Sequence, residues 1–298
     1  MKKIIKKTYR LKSFISDDIW TLDLEDFSKA KARAIKYLKV AMITIRTFSS
    51  EKIGFQAVAL SFFSTMAVVP FIAIAFAITG GLGLDDKLSE LLYTYFNNSQ
   101  QVIDVVQGFA QNIIASAETG WVGLVSALLF AWTVIWMMMS VEKVFNNVWK
   151  VGKARNIFKR LSVIVIMIIV SPLVVMVFFA GTIMYSHMFE YLGLDMETFG
   201  PVKTILTWVL FAAIVTFTFS AMYKFIPNHD VRYGSALRAA IPAAIAFAVM
   251  NYLYLETQVL VTRLNAVYGA FAAVPLFMVW RNIGWFIILI GAELSYAF

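Results

Sequence analysis

The sequence predicts an all-α membrane protein with six transmembrane helices and with its N and C termini in the cytoplasm. Hydrophobic residues make up 60% of the 298 residues, and the mean hydropathy is +0.76, whereas soluble domains contain roughly 45–50% apolar residues. Charge-free intervals recur along the chain, and a helix needs roughly 20 apolar residues to cross a hydrocarbon core of about 30 Å. The intervals do not alternate apolar with polar residues, as the strands of a membrane barrel would.

Six apolar intervals are long enough to cross a membrane, or nearly so. The fourth and fifth, which begin after Lys203 and Arg238, are short, but flanking basic side chains can snorkel to the interface. The sixth is unusual because it contains Arg281 and Glu293. The six intervals form a single membrane domain over residues 53–298. Helices are predicted over residues 54–79, 121–141, 161–185, 203–224, 236–259 and 269–297.

Residues 1–52 precede the first apolar interval and form a basic cytoplasmic or interfacial segment with 13 Lys and Arg residues. Apolar residues recur there at helical spacing, with basic residues on other faces, which predicts an amphipathic helix on the cytoplasmic leaflet. Simple anchoring is favoured over lipid recognition, because basic clusters are common beside a first membrane helix. No short apolar stretch follows the first residues, so we expect no cleavable signal peptide. The apolar positions are Ala30, Ala34, Leu38, Met42 or Ala41, and Ile45.

Basic residues are distributed unevenly between the predicted loops, and this distribution sets the orientation. The loop from Glu142 to Arg160 carries 6 basic residues and the loop from Lys224 to Arg238 carries 3, whereas acidic residues dominate the other two long loops. Because Lys and Arg are enriched on the cytoplasmic side, both termini are predicted to be cytoplasmic. The net charge of +8 is attributed to topology and to anionic headgroups, so we expect membrane lipids and not nucleic acid as partners. The oligomeric state stays open.

The segment from residue 84 to 118 is the main external feature of the predicted topology. It reads as two amphipathic helices separated by the polar cluster at residues 97–99. Its apolar stripes have to cover the outer mouth of the bundle or the headgroup region, and both a structural lid and a gate fit this pattern. The stripes are Leu88, Leu91 or Leu92, and Tyr95, followed by Val102, Val105 or Val106, Phe109 and Ile113.

Signatures of enzymes are sparse in this chain. It has no cysteine, which excludes thiolate metal sites and cysteine nucleophiles. Its two histidines, His187 and His229, fall on opposite sides of the membrane in the predicted topology and cannot share a metal. Phosphate-binding loops, zinc-hydrolase helices and nucleophile elbows are missing from the sequence. We therefore expect no catalytic residue, no cofactor and no metal site.

Arg281 is the best functional candidate, because charged residues inside a membrane are rare and cost about 2.5–3.5 kcal/mol at a helix centre. Counted from Gly269, it lies roughly 18 Å into the sixth helix, close to the middle of the membrane. One helical stripe joins it to a row of mostly small residues of the kind that packs against other helices. Arg281 is therefore expected to face the bundle and not the lipid. The stripe consists of Gly284, Ile288, Gly291 and Ser295.

The partner of Arg281 has to come from another helix or from a substrate. Glu293 lies another ~18 Å along the same helix and is rotated by about 120°, so it cannot pair with Arg281. Asn251 of the fifth helix or a water-filled cavity is favoured, and Glu256, Gln56 and Ser61 are further options. Asn251, Glu256 and Gln56 are also candidates for lining a polar substrate cavity. The alternative is a structural bridge between helices. Glu293 itself can be a cavity residue or a carboxylate that serves helix packing.

Four prolines fall within the apolar intervals, where each removes one helix hydrogen bond and permits a kink. Kinked helices are common around the cavities of transporters, although they also occur in plain bundles. The pattern is compatible with a transporter without requiring one. These prolines are Pro70, Pro172, Pro242 and Pro275.

Several motifs, in their order and spacing, resemble the YihY/BrkB family of bacterial inner-membrane proteins from the first to the sixth helix. They are ALSFFSTMAVVP from Ala59, VEKVFNNVW from Val141, YKFIPN from Tyr223, and VYGAFAAVPLFMVWRNIGWFIILIGAEL from Val267. The match departs from the family at Arg281 and Asn282, where relatives usually carry apolar or aromatic residues. The matching positions are Pro70, Glu142, Asn146, Trp149, Tyr223, Pro227, Asn228, Tyr268, Gly269, Pro275, Trp280, Trp285, Gly291, Ala292 and Glu293.

The resemblance implies a role in the bacterial envelope at the inner membrane. Its usual form is the export or flipping of a lipid-like molecule, which gives our first hypothesis: a transporter or flippase-like protein for an amphiphilic, anionic substrate. A scaffold for envelope assembly that transports nothing is the alternative. The family's former label as ribonuclease BN is disfavoured, because a metal-dependent nuclease needs histidines and carboxylates around its metals.

Overall fold

The structure is a computed structural model, and it describes residues 28–50, 53–81, 108, 111–112, 121–152, 155–156, 158–170, 173–174, 177, 200–264 and 266–298. Over these ranges it consists of helices and short turns, with no strand among them. The predicted all-α class is confirmed. The helices are α1 (Lys29–Ser50), α2 (Ile53–Gly81), α3 (Trp121–Val148), α4 (158–170), α5 (Gly200–Phe225), α6 (Tyr233–Leu264) and α7 (Ala266–Ala297).

Four helices in the described ranges are long and apolar enough to cross a membrane, namely Leu128–Val148, Thr204–Phe225, Tyr233–Thr257 and Pro275–Ala297. A shorter apolar helix covers Ile53–Val68 within α2, and α4 covers the first part of the predicted third span. The count of six spans and the orientation therefore stay predictions. The external segment 84–118 lies outside the described residues, apart from helical residues 108, 111 and 112.

Helix α3 runs two turns further than the sequence predicts. It was expected to end at residue 141, but it continues to Val148, so that Glu142 and Asn146 lie on the helix and not in a loop. Its last carbonyls are capped by bonds from Val151 N to Asn146 O (2.9 Å) and from Lys150 N to Asn147 O (3.1 Å), the Schellman pattern. Lys150 has a φ of 53°, where glycine is usual. The charged residue Glu142 ends the apolar interval in the sequence. The helix itself continues to the backbone cap at Lys150.

Helix α7 occupies the centre of the bundle. It packs against α1, α2, α3, α5 and α6, while α5 packs on α6, and α2 packs on both α1 and α3. Each of the proline-containing helices α2, α6 and α7 continues through its proline. Large apolar side chains on the outer faces, such as Phe62, Trp132 and Val209, are more than half exposed, as expected of surfaces that contact lipid.

Small residues allow α7 to approach its neighbours closely, as its glycine-containing stripe predicts. A Cβ built at Gly291 would overlap the Tyr223 hydroxyl and would lie 2.9 Å from Ala243 Cβ. The Tyr223 side chain is fully buried against this glycine. The facing side of α6 is a row of buried alanines. They are Ala236, Ala239, Ala240, Ala243 and Ala244.

Helix α1 confirms the helix predicted in the N-terminal segment and shows how it attaches to the bundle. Val40 and Thr44 are 4% exposed, whereas Leu38 of the predicted apolar stripe is 45% exposed. The ring of Tyr37 meets Phe298 at 5.7 Å between centroids. One side of α1 therefore packs on the bundle next to the end of α7, and Leu38 points away from it. Residues 1–27 lie outside the described residues.

We expect Gly291→Ala to destabilise the protein by about 1–3 kcal/mol, the usual effect of overpacking. Gly284→Ala is the matched control on the same stripe, because its Cβ would meet only side-chain atoms, Phe247 Cε2 at 3.3 Å and Met250 Cε at 3.9 Å. Adding Tyr223→Phe should recover part of the loss by removing the overlapped hydroxyl. Thermal unfolding of the purified protein in detergent measures all three. Equal effects of the two glycine substitutions would contradict this account of the contact.

The predicted orientation can be tested directly, because the chain has no cysteine of its own. A cysteine at Asn98 should react with a membrane-impermeant maleimide added to the outer face of spheroplasts. A cysteine at Gly152, where a side chain would meet nothing within 4 Å, should react only after permeabilisation. The reverse labelling pattern would overturn the orientation.

Candidate functional site

A row of polar groups lies where α2 meets the middle of α7. Trp285 Nε1 donates to Ser64 Oγ at 2.9 Å, Ser64 Oγ donates to Ser61 O at 3.0 Å, and Ser61 Oγ lies 3.5 Å from Met278 O. Trp285 and Ser64 are 7% and 1% exposed. Bonds of this kind between membrane helices contribute on average about 0.6 kcal/mol and at most about 1.7. They fix the height and rotation of α7 relative to α2.

Arg281 and Asn282 lie within this row, which we call the α2–α7 seam and define as Ser61, Ser64, Arg281, Asn282 and Trp285. Arg281 follows Met278 by three residues and precedes Trp285 by four, and Asn282 has the reverse spacing. Residues three or four apart share a helix face, so both lie on the side of α7 that contacts α2. Arg281 is also the midpoint of the 32-residue helix. It is partly buried, which agrees with the predicted inward orientation.

Several buried polar atoms of α2 and α7, two of them in the seam, have no hydrogen-bond partner among the residues that the structure describes. Arg281 Nε and Trp280 Nε1 are buried donors, and Asn282 Oδ1 and Gln56 Oε1 are buried acceptors. The centre of the Arg281 guanidinium lies 5.8 Å from the centroid of the Trp280 ring. A buried polar atom without a partner costs about 1–3 kcal/mol, and more when it is charged. The seam therefore has unused capacity to bind a ligand with both donor and acceptor groups.

Asn251 and Glu256 of α6 make no hydrogen bond to Arg281 among the residues that the structure describes. Asn251 Nδ2 donates instead to Phe247 O of its own helix at 2.8 Å, and Glu256 is exposed. Glu293 is 1% exposed, twelve residues beyond Arg281 on α7. Whether these residues and Gln56 line a substrate cavity stays a prediction.

A second polar cluster, the α3–α5 junction, joins the end of α3 to the turn after α5. Asn228 N donates to Asn146 Oδ1 at 2.7 Å. Arg155 donates to Asn228 Oδ1 at 3.3 Å, to Phe225 O at 3.3 Å and to Pro227 O at 3.0 Å. The last helix carbonyls have no partner within a helix, so Arg155 caps α5. We define the junction as Glu142, Asn146, Trp149, Arg155, Arg160, Asn228 and His229.

The junction also contains an ion pair and an aromatic stack. Arg160 Nε lies 2.6 Å from Glu142 Oε2, and the two side chains are 18% and 7% exposed. The Trp149 ring stacks on His229 at 5.6 Å between centroids and meets Tyr296 of α7 edge-on at 5.4 Å. The pair ties α4 to α3, and the rings tie the end of α3 to the end of α7. The contacts of the junction are therefore structural, because they hold the ends of neighbouring helices together.

These contacts explain most of the family-like positions. Seven of them form or adjoin the junction and the Gly291 contact, Trp285 lies in the seam, Trp280 stacks on Tyr254 of α6, and Pro70 is buried within α2. Sequence reasoning missed Ser64, which looked like one polar residue in an apolar run, and Arg155, which counted only as a topological charge. It also interpreted His229 as an ordinary loop residue. Pro275 is exposed, and the side chains of Tyr268 and Gly269 lie outside the described ones.

A groove of about 330 Å³ lies between α6 and α7 on the outer side of the bundle. Tyr254 of α6 and Trp280 of α7 stack across it with ring centroids 4.8 Å apart and planes 20° apart. Its other walls are almost wholly apolar, and Thr257 is the only other polar side chain among those that line it. They are Ala246, Val249, Met250, Leu253, Leu276, Val279 and Ile283.

Comparisons with known proteins agree with this description. The family model described as Virulence factor BrkB matches residues 44–298. A UPF0761 membrane protein of Aromatoleum aromaticum is 28% identical over 79% of this chain and 58% of its own length, and one of Paraburkholderia xenovorans is 28% identical over 87% and 59%. A UPF0761 membrane protein of Haemophilus influenzae is 24% identical over 84% of this chain and 91% of its own. No solved structure matches significantly.

Two further points follow from the comparisons. The chain spans just under three fifths of the length of the first two relatives. The relatives are membrane proteins by name, and four helices here can span a membrane. The predicted location as a multi-pass protein of the bacterial inner membrane is confirmed.

The bond between Trp285 and Ser64 should contribute measurably to stability. We expect Trp285→Phe and Ser64→Ala each to lower the free energy of unfolding by at least ~0.6 kcal/mol, and the double variant to lose clearly less than the sum. Trp132→Phe is the matched control, because Trp132 is 63% exposed on the outer face of α3. Unfolding by sodium dodecyl sulfate in mixed micelles gives the free energies. Additive losses would show that the two residues do not interact.

Proposed function

We propose that this chain, which belongs to the Virulence factor BrkB family, moves a lipid-like anion across the inner membrane as a transporter or flippase. The polar head of the amphiphile would be recognised at the α2–α7 seam. It includes no catalytic step. It also requires no partner other than the membrane lipids and the substrate itself.

The observation that carries the proposal is the Arg281 side chain. Its Nε is buried at the midpoint of a membrane helix and has no hydrogen-bond partner within the described part of the chain. A guanidinium that only bridged two helices would be expected to have its partner in place, because charged groups in membranes pair with each other or with carbonyls. The planar guanidinium matches the paired oxygens of a phosphate or carboxylate. An anionic ligand would supply the missing partner.

The neighbours of Arg281 suit the same kind of ligand. Asn282 Oδ1, also buried without a partner, can accept a hydrogen bond from a hydroxyl or ammonium group on the same head. The Trp280 ring beside the guanidinium limits access of water and strengthens its electrostatic attraction for an anion. Satisfied bonds on either side, from Ser61 and Trp285, hold the backbone of α7 in place.

An amphiphile fits this position better than a small water-soluble anion does. The seam lies between helices whose outer faces are apolar and exposed, as at Phe62 and Val279. A small anion would have to leave water completely to reach mid-membrane, and this costs several kcal/mol per charge even in proteins. An amphiphile keeps its apolar part in the lipid while only its head enters the bundle.

The test is the transfer of a fluorescent phosphatidylglycerol between leaflets of vesicles that contain the purified chain, followed by quenching from outside. Arg281→Ala should slow transfer by about tenfold or more, because hydrogen bonds to charged groups contribute ~1.5–3 kcal/mol. Arg281→Lys should recover only part of the rate, since an ammonium lacks the planar pair of donors. Arg238→Ala, at an exposed arginine near the start of α6, is the matched control and should leave the rate unchanged.

Two results would overturn the proposal. If Arg281→Ala transferred lipid at the rate of the unchanged chain, Arg281 would have no part in transport. If the folded, unchanged chain moved neither phosphatidylglycerol nor any other anionic lipid faster than protein-free vesicles do, the scaffold hypothesis would take its place. Thermal unfolding of each variant in detergent separates loss of function from loss of the fold.

A further inference from the structure

The groove between α6 and α7 lies on the outer side of the bundle, and we infer that it binds the hydrocarbon chain of the amphiphile whose head is recognised at Arg281. This inference rests on the proposed function and adds where the apolar part of the substrate sits. It assigns the groove to a single occupant, one extended acyl chain, and assigns Trp280 as the residue that separates chain from head.

The groove is built for a hydrocarbon occupant. Val249 and Leu253 of α6 and Val279 and Ile283 of α7 line it, and each is between 44% and 58% exposed. These positions lie within two helices that can span the membrane, so the groove opens to lipid. Its volume is about 330 Å³. That space accommodates part of a chain and is too small for a second helix, which is about 10 Å wide.

Trp280 connects the groove to the seam. Trp280 lines the groove with its ring, while the centre of the Arg281 guanidinium lies 5.8 Å from the same ring. Both Trp280 Nε1 and Arg281 Nε are buried donors without a partner among the described residues. A groove that contacted only hydrocarbon would leave both of these donors without a partner. An amphiphile with an oxygen-rich head at one end of its chain satisfies both.

The rotation of α7 places Trp280 between the two parts of the site. At about 100° per residue, Val279 and Ile283 lie roughly 160° around the helix from Arg281, and Trp280 lies about 100° from it. The chain and the head would therefore occupy different sides of α7. The stack of Trp280 on Tyr254 (4.8 Å between ring centroids) lies at the boundary between these two sides.

Photolabelling tests the groove without reference to transport. The probe is phosphatidylglycerol with a diazirine in the middle of one acyl chain, in vesicles of phosphatidylethanolamine and phosphatidylglycerol that contain the full chain. Peptide mapping should find label concentrated at residues 246–257 and 276–283. Lipid-facing positions of α5, such as Val209 and Phe217, should carry only background label. Equal labelling of α5 and the groove would mean ordinary contact with bulk lipid and would overturn the inference.

Two tryptophan substitutions on the same helix provide the matched comparison. Val249 and Ile245 are 54% and 56% exposed and one turn apart, but only Val249 lines the groove. Val249→Trp should fill the groove and reduce labelling to background. Ile245→Trp should leave labelling unchanged, because side chains tilt toward the helix N-terminus and so away from the groove. Equal labelling of the two variants would also overturn the inference.

The same variants separate this inference from the proposed function. If the unchanged chain transfers lipid, Val249→Trp should slow transfer along with labelling, and Ile245→Trp should slow neither. Transfer that persists in Val249→Trp after labelling is lost would remove the groove from the transport route and overturn the inference, while the Arg281 proposal would stand. Saturable labelling of the groove in a chain that transfers nothing would support the binding site and refute only transport.

Discussion

The close approach of Tyr223 to Gly291 is the contact on which the rest of the bundle depends. Lipid tails are as apolar as leucine, so helices in a membrane gain little from burying apolar surface against each other, and they associate largely through close packing and hydrogen bonds. Gly291 has room for no side chain beside the Tyr223 hydroxyl and Ala243. The alanine face of α6 continues this contact. Helix α7 is thereby fixed at the centre, and its other faces are committed to α1, α2 and α3.

The α2–α7 seam combines groups that are satisfied with groups that are not, on one side of one helix. Trp285 and Ser64 complete each other, whereas Arg281 and Asn282, between Met278 and Trp285, keep buried polar atoms without partners. Loose packing of α7 would not produce this pattern, because the neighbouring bond from Trp285 to Ser64 is 2.9 Å long and buried. The unsatisfied atoms lie instead on a rigidly held backbone, which is the arrangement expected of a binding site built on stable elements.

Apolar length predicted the all-α class correctly, and small-residue spacing predicted an inward direction for Arg281, which is partly buried. Both predictions depend on the pattern of residues within one segment of the chain, and this pattern can be read directly from the sequence. The end of α3 was missed because hydropathy stops at Glu142, whereas the helix stops where Lys150 adopts a left-handed cap. Ser64, the partner of Trp285, was missed because it lies more than 200 residues from α7 in the chain. Which side of α2 faces α7 depends on the relative rotation of the two helices, and no local pattern encodes that rotation.

The length of α7 between its two sets of contacts gives the helix a mechanical role. Arg281 lies 15 residues before Tyr296, the residue that meets Trp149 edge-on at the α3–α5 junction. A helix keeps this distance at about 22 Å. The tight contact of Gly291 with Tyr223 lies between these two points of α7. The guanidinium in the middle of the membrane and the rings at the end of α7 are therefore held in a fixed register with each other.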